Sequence, residues 1–234
     1  MTGTPRERFL AWSVHFYTAL GAPIALATIL ATIRGDVREA FLWMALAIVI
    51  DSTDGALARA ARVKEVVPEF DGARLDDVVD YLNYVLVPIF FAVERGMLPE
   101  GIETWVAAAP LLASAYGFCN AGAKTADFFF TGFPSYWNVF VFYAFGLDLS
   151  PSMTATALLV LAALVFVPIG YLYPSRQPFL RPLTITLAVI WGAMLLPAVF
   201  ALPERSPGLL LASLFFIVYY AGLSLHLHFR RRPG

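Results

Sequence analysis

Residues 48–84 read IVIDSTDGALARAARVKEVVPEFDGARLDDVVDYLNY. Apolar runs flank this stretch on both sides, so its acids lie at the ends of two hydrophobic segments. Asp51, Asp54, Gly55 and Ala58 are spaced i, i+3, i+4, i+7, which is one stripe of a helix. Gly72, Asp76 and Asp80 follow at i, i+4, i+8, a second stripe. Each stripe combines carboxylates with very small residues that would let a bulky group approach the backbone. A lone aspartate near a helix end is commonly a cap or a solvated residue. Asp71 fits the first description as a cap of the third helix, and Asp77, pointing off its stripe, fits the second. The four stripe carboxylates fit neither, because charges inside a membrane run are costly and usually functional.

The rest of the chain supports a membrane setting. Of 234 residues, 59% are hydrophobic and 14% charged, against about half and about a quarter in average globular proteins. Several runs reach the roughly 20 apolar residues that a bilayer core requires. The spacing predicts an all-α polytopic bundle of about eight membrane helices, roughly 11–33, 39–61, 75–95, 103–122, 135–147, 151–173, 179–201 and 207–229. They form a single membrane domain over 1–234, with no repeat and no soluble domain. The first run is long for a signal peptide and is expected to be retained as a span. A net charge of −1 offers no basic patch for nucleic acid. Cys119, the single cysteine, excludes an internal disulfide framework and reads as a small packing residue.

Orientation follows from Lys and Arg in the loops. With the N-terminus inside, Arg6, Arg8, Arg59, Arg62, Lys64, Arg74, Lys124, Arg176, Arg181, Arg230, Arg231 and Arg232 face the cytoplasm. Arg34, Arg38, Arg95 and Arg205 face out. The bias of 12 to 4 requires an even number of spans and puts both termini in the cytoplasm. The terminal HLHFRRRPG reads as a positive-inside anchor, and His226 and His228, two apart, do not share a helix face.

Four converging carboxylates cannot all stay ionised without cations. Hard oxygen ligands suit Mg²⁺ or Mn²⁺, and two such ions would clamp a pyrophosphate for in-line displacement. Arg59 is placed to meet a phosphate by paired hydrogen bonds.

Asp51-x-x-Asp54-Gly55-x-x-Ala58-Arg59, then Gly72-x-x-x-Asp76-x-x-x-Asp80, resembles the signature of the CDP-alcohol phosphotransferases. Twelve residues, Ala60 to Asp71, separate its halves, a longer gap than is usual for that family. This gap, the extra helices and the later AYGFCNAGAKTADFFFTGFPSYWN segment are similar to one branch, the bacterial phosphatidylcholine synthases. The resemblance implies transfer of phosphatidyl from CDP-diacylglycerol to choline, releasing CMP, in a bacterial inner membrane with the site facing the cytoplasm. It implies Mn²⁺ or Mg²⁺, two ions, held by Asp51, Asp54, Asp76 and Asp80, with Asp80 also the general base. Gly55, Ala58 and Gly72 would admit the cytidine nucleotide, which Asp51 and Asp54 also approach, and Arg59 would hold donor phosphates. Members of this family often form homodimers.

Choline carries a quaternary ammonium that aromatic faces attract. The expected cage is Tyr84, Tyr116, Tyr136 and Trp137, with Asn83 or Asp127 nearby. The signature also permits serine, inositol phosphate or glycerol phosphate as acceptor, or diacylglycerol with CDP-choline. A cation transporter is the rival from another class, disfavoured because the acids sit near helix ends rather than at the midplane.

Overall fold

The computed structural model describes residues 3–174 and 176–230. The chain is nearly all α-helical. Thr4 caps α1 (Pro5–Ala19) in a reciprocal capping box with Glu7. The first apolar run is divided at Leu20 before α2 (Gly21–Ile33). Pro23 sits just past the division and has no N–H to return to Ala19, so the ladder is interrupted there. Asp36 caps α3 (Val37–Ala60) by accepting from the Glu39 amide. The runs 5–33 and 37–60, with α10 (Arg181–Ala201) and α11 (Pro207–Arg230), are four helices long and apolar enough to cross a membrane. Shorter apolar helices α7 (Glu103–Cys119), α8 (Trp137–Gly146) and α9 (Pro151–Leu164) pack among them.

The twelve residues between the signature halves are folded, not slack. They hold α4 (Val63–Val66), and Val63, Val66 and the following Val67 pack with Ala11 of α1 and Ala58 of α3. Arg8 bonds the Val66 carbonyl at 3.2 Å and pairs with Glu69, and Arg62 pairs with Glu7 at 2.7 Å. Asp71 then caps α5 (Gly72–Asp80), accepting from the amides of Ala73 and Arg74.

From Asp80 the chain continues without a break through a π-helical turn (Tyr81–Leu86) into α6 (Val87–Glu94). Single π turns inside α-helices often occur at functional sites. This one holds Asn83, which donates to the carbonyls of Gly21 and Val79 at 2.9 Å and fastens the turn to α2.

The sixth expected helix, 151–173, is shorter than its hydropathy suggests. α9 stops at Leu164, since Pro168 removes a backbone donor and disfavours helix in the residue before it. The chain instead forms β2 (Gly170–Leu172), antiparallel to β1 (Phe129–Thr131) with Phe130 opposite Tyr171. This ribbon ties the long 120–136 connection to the far end of α9. Arg231 and Arg232 of the terminal basic run lie outside the described residues.

Candidate active site

The end of α3, the length of α5 and the ribbon-held loop enclose a cavity of about 580 Å³. Asp51, Asp54, Gly55 and Arg59 line it from α3, and Asp76, Asp77 and Asp80 from α5. Asp51, Asp76 and Asp80 each offer a carboxylate oxygen, and the three oxygens lie within 4.8 Å of one another. The two stripes therefore converge.

The fourth carboxylate is held apart. Asp54 is buried, and its Oδ2 accepts from the Thr18 hydroxyl at 2.9 Å. Thr18 belongs to α1, and nothing in the spacing of the signature points to it. Asp51 is likewise oriented, by the Tyr84 hydroxyl donating to its Oδ2 at 2.6 Å. Tyr84 lies four residues past Asp80, within the π turn.

Ala58 and Gly72 do not line the cavity. Ala58 belongs to the apolar cluster under α4. A Cβ built on Gly72 would stand 2.6 Å from Cε1 of His15, so this glycine is small to admit the buried His15 ring. Gly55 does face the cavity, where the nearest neighbour of an added Cβ is Arg59 Nη1 at 3.4 Å.

Among the aromatic residues expected near choline, Tyr84 and Tyr136 line the cavity with ring centroids 6.5 Å apart. Tyr220 of α11 stands 6.1 Å beyond Tyr136 and continues the row. The other four residues expected there lie elsewhere. Trp137 is fully buried, its indole N–H donating to Ser114 Oγ at 2.7 Å, which makes it a core residue. Tyr116 is half exposed and lies against Phe166 in a tilted ring contact outside the cavity. Asn83 is turned to α2, as described above. Asp127 accepts from the Thr125 hydroxyl at 2.6 Å within the loop.

Two further expectations need correction. Asp77 is not a plain solvated residue, because its Oδ1 takes the Lys124 ammonium at 3.1 Å on the cavity wall. Burial lowers the Lys124 pKa, but Asp77 and Asp76 outweigh it and leave it above the ordinary lysine value. Cys119 is exposed and lines the cavity at the end of α7, so it is not a packing residue.

The site thus offers three carboxylates to one point, with the cations Arg59, Lys124 and Arg176 around the wall. An all-oxygen, acidic donor set fits a hard divalent cation. The cations suit phosphate oxygens.

No family model matches the chain. Curated relatives do. Phosphatidylcholine synthase of Legionella pneumophila is 44% identical over 178 residues, 76% of this chain and 70% of the relative. That of Pseudomonas aeruginosa is 40% identical over 188 residues, 80% and 79% of the two chains. That of Borreliella burgdorferi is 33% identical over 218 residues, 92% of each. Identity of this order over most of both chains is common ancestry, and the protein belongs to the phosphatidylcholine synthase family, enzymes of phospholipid biosynthesis.

Proposed function

We propose that this chain transfers the phosphatidyl group of CDP-diacylglycerol to choline, with Asp80 as general base. The convergence of Asp51, Asp76 and Asp80 within 4.8 Å on the wall of a 580 Å³ cavity carries the reading. Asp51, Asp76 and Asp80 would hold Mg²⁺ or Mn²⁺, with Asp54 contributing its remaining lone pairs toward a second ion. Bound there, a divalent ion neutralises pyrophosphate charge and eases departure of CMP. Thr18 and Tyr84 keep Asp54 and Asp51 oriented before any substrate arrives. Arg59, Lys124 and Arg176 donate hydrogen bonds to the donor's phosphate oxygens, and Gly55 leaves room for the nucleotide beside α3. Asp80 takes the choline hydroxyl proton as that oxygen attacks phosphorus. Its place at the end of α5, next to the Tyr84–Tyr136 pair, sets the base beside the aromatic faces where a quaternary ammonium rests.

The ion pairs support the assignment of the loops to an inner and an outer side, with the N-terminus on the inner one. Arg8–Glu69, Arg62–Glu7 and Lys124–Asp77 join residues assigned to the inner side. Arg34–Glu39 and Arg205–Asp148 join residues assigned to the outer side. No pair in this set spans the two sides, and the carboxylate cluster falls on the inner one, consistent with a site open to cytoplasmic choline in a bacterial inner membrane.

The test is CMP release by purified protein given CDP-diacylglycerol and a panel of alcohols. Choline should exceed serine, inositol phosphate and glycerol phosphate by more than about tenfold in kcat/KM. Preference for a phosphorylated alcohol would assign Arg59, Lys124 and Arg176 to the acceptor and overturn the choline reading.

The two aromatic residues Tyr136 and Trp137 are adjacent in sequence and should behave oppositely. Each ammonium–ring contact is worth about 0.5–2 kcal/mol. Tyr136→Leu should therefore raise the KM for choline by about tenfold with little loss of thermal stability. Trp137→Ala should cost about 3–5 kcal/mol of stability by emptying a core site, with choline KM unchanged in the protein that remains folded. Melting curves with choline titrations separate the two.

A further inference from the structure

Lys124 stands between two sets of carboxylates. It lines the cavity from the 120–136 connection, and its Nζ donates to Asp77 Oδ1 at 3.1 Å. Asp77 follows Asp76 directly, about 100° round α5 from it and off the Asp76–Asp80 stripe. The ammonium nevertheless interacts electrostatically with Asp51, Asp76 and Asp80 as well. A lysine carries a compact charge on a flexible stem, so it follows whichever carboxylate within reach is left without a cation.

The pair is poorly suited to fasten the loop. Its side chains are 54% and 37% exposed, and exposed ion pairs add little stability. Other bonds hold the connection. β1 pairs with β2, Tyr173 N–H donates to the Phe128 carbonyl at 3.2 Å, and Gln177 Nε2 donates to that of Asp127 at 3.3 Å. The amides of Gly132 and Phe133 donate to the carbonyls of Ile169 and Leu164 at 2.9 and 3.0 Å. Loss of the Lys124–Asp77 pair leaves all of these in place.

What the pair governs is the occupant of the cluster. Three carboxylates with oxygens within 4.8 Å of one another attract any cation in reach. An ammonium lodged among them would neutralise one charge and exclude a divalent ion. Asp77 gives Lys124 a separate carboxylate beside the cluster. It takes one of the ammonium's three N–H groups, which leaves two for phosphate oxygens. We propose that Asp77 is a positioning residue that keeps Lys124 off the Asp51–Asp76–Asp80 cluster, so that the lysine serves the donor phosphates instead of competing with the ion. This rests on the divalent-cation reading of the cluster given above. Asp77 acts through Lys124 alone.

Mn²⁺ binding to the metal-stripped, full-length protein in nanodiscs, followed by the spin resonance of free Mn²⁺, tests this without turnover. Asp77→Ala keeps the helix propensity of α5. It should weaken Mn²⁺ binding at least about tenfold, as loss of a residue that supports a metal site does. Lys124→Gln should strengthen binding at least about fivefold more in the Asp77→Ala background than in wild type, because only there does Lys124 enter the cluster. Asp77→Glu keeps a carboxylate for the ammonium and should stay within about threefold of wild type. A plain sum of charges gives Lys124→Gln the same effect in both backgrounds, and that result overturns the proposal. So does wild-type affinity in Asp77→Ala, or an Asp77→Glu protein as weak as Asp77→Ala. Wild-type protein that takes up no Mn²⁺ overturns the divalent-cation reading itself, and the role of Asp77 with it.

Discussion

Asp80→Asn should lower kcat by about 10²–10⁴, the range a positioned general base contributes, while the protein folds and binds CDP-diacylglycerol as before. The replacement is isosteric, and Asp80 is half-buried at the end of α5 on the cavity wall, so no packing is lost. Asp80 also belongs to the three-carboxylate cluster, and a weakened metal site would mimic a lost base. Titration with Mn²⁺ separates the two. If the loss persists at saturating metal with the donor KM within about threefold of wild type, the missing interaction acts on turnover alone. Recovery to near wild-type kcat at high Mn²⁺ would make Asp80 a ligand and nothing more, and the base would have to be sought elsewhere on the cavity wall.

The stripes were legible because helical periodicity acts within one element. Asp51 and Asp54, three apart, and Asp76 and Asp80, four apart, share a face whatever surrounds them. The cap at Asp71 was legible for the same reason. What the small residues face depends on neighbouring helices, and here the pattern misled. Gly72 accommodates His15 of α1 and Ala58 packs under α4, although both spacings aim at the cavity as well as Gly55 does. Thr18, which orients Asp54, comes from a helix more than thirty residues upstream with no periodic mark. Lys124 reaches Asp77 only because β1 and β2 pair across some forty residues, and β2 exists because Pro168 ends α9. That proline was visible, but a strongly apolar flank hid its effect. Trp137 and Tyr136 are neighbours of similar composition bias, and only the Ser114 hydroxyl, accepting the indole N–H, shows which one is core.

Chelation should abolish CMP release, and Mg²⁺ or Mn²⁺ should restore it. The more diagnostic result comes from Asp76→Asn. Asp51, Asp76 and Asp80 bring three acidic groups within 4.8 Å, while Lys124 is engaged by Asp77. Such a cluster costs stability when no cation fills it, because like charges at this range repel. Removing one charge should therefore raise the stability of the chelated protein by about 1 kcal/mol, a rise of about 2–4 °C in Tm for a chain of this size. The same change should cut activity by at least about 10² by weakening ion affinity and charge neutralisation at the transition state. Metal should raise the Tm of wild type more than that of Asp76→Asn, since a ligand stabilises in proportion to its affinity for the folded state. A gain in stability coupled to a loss of function is what a site held ready for a cation predicts. Were Asp76→Asn less stable than wild type under chelation, the cluster would be a hydrogen-bonded structural element, and the divalent-cation reading of its three carboxylates would fail.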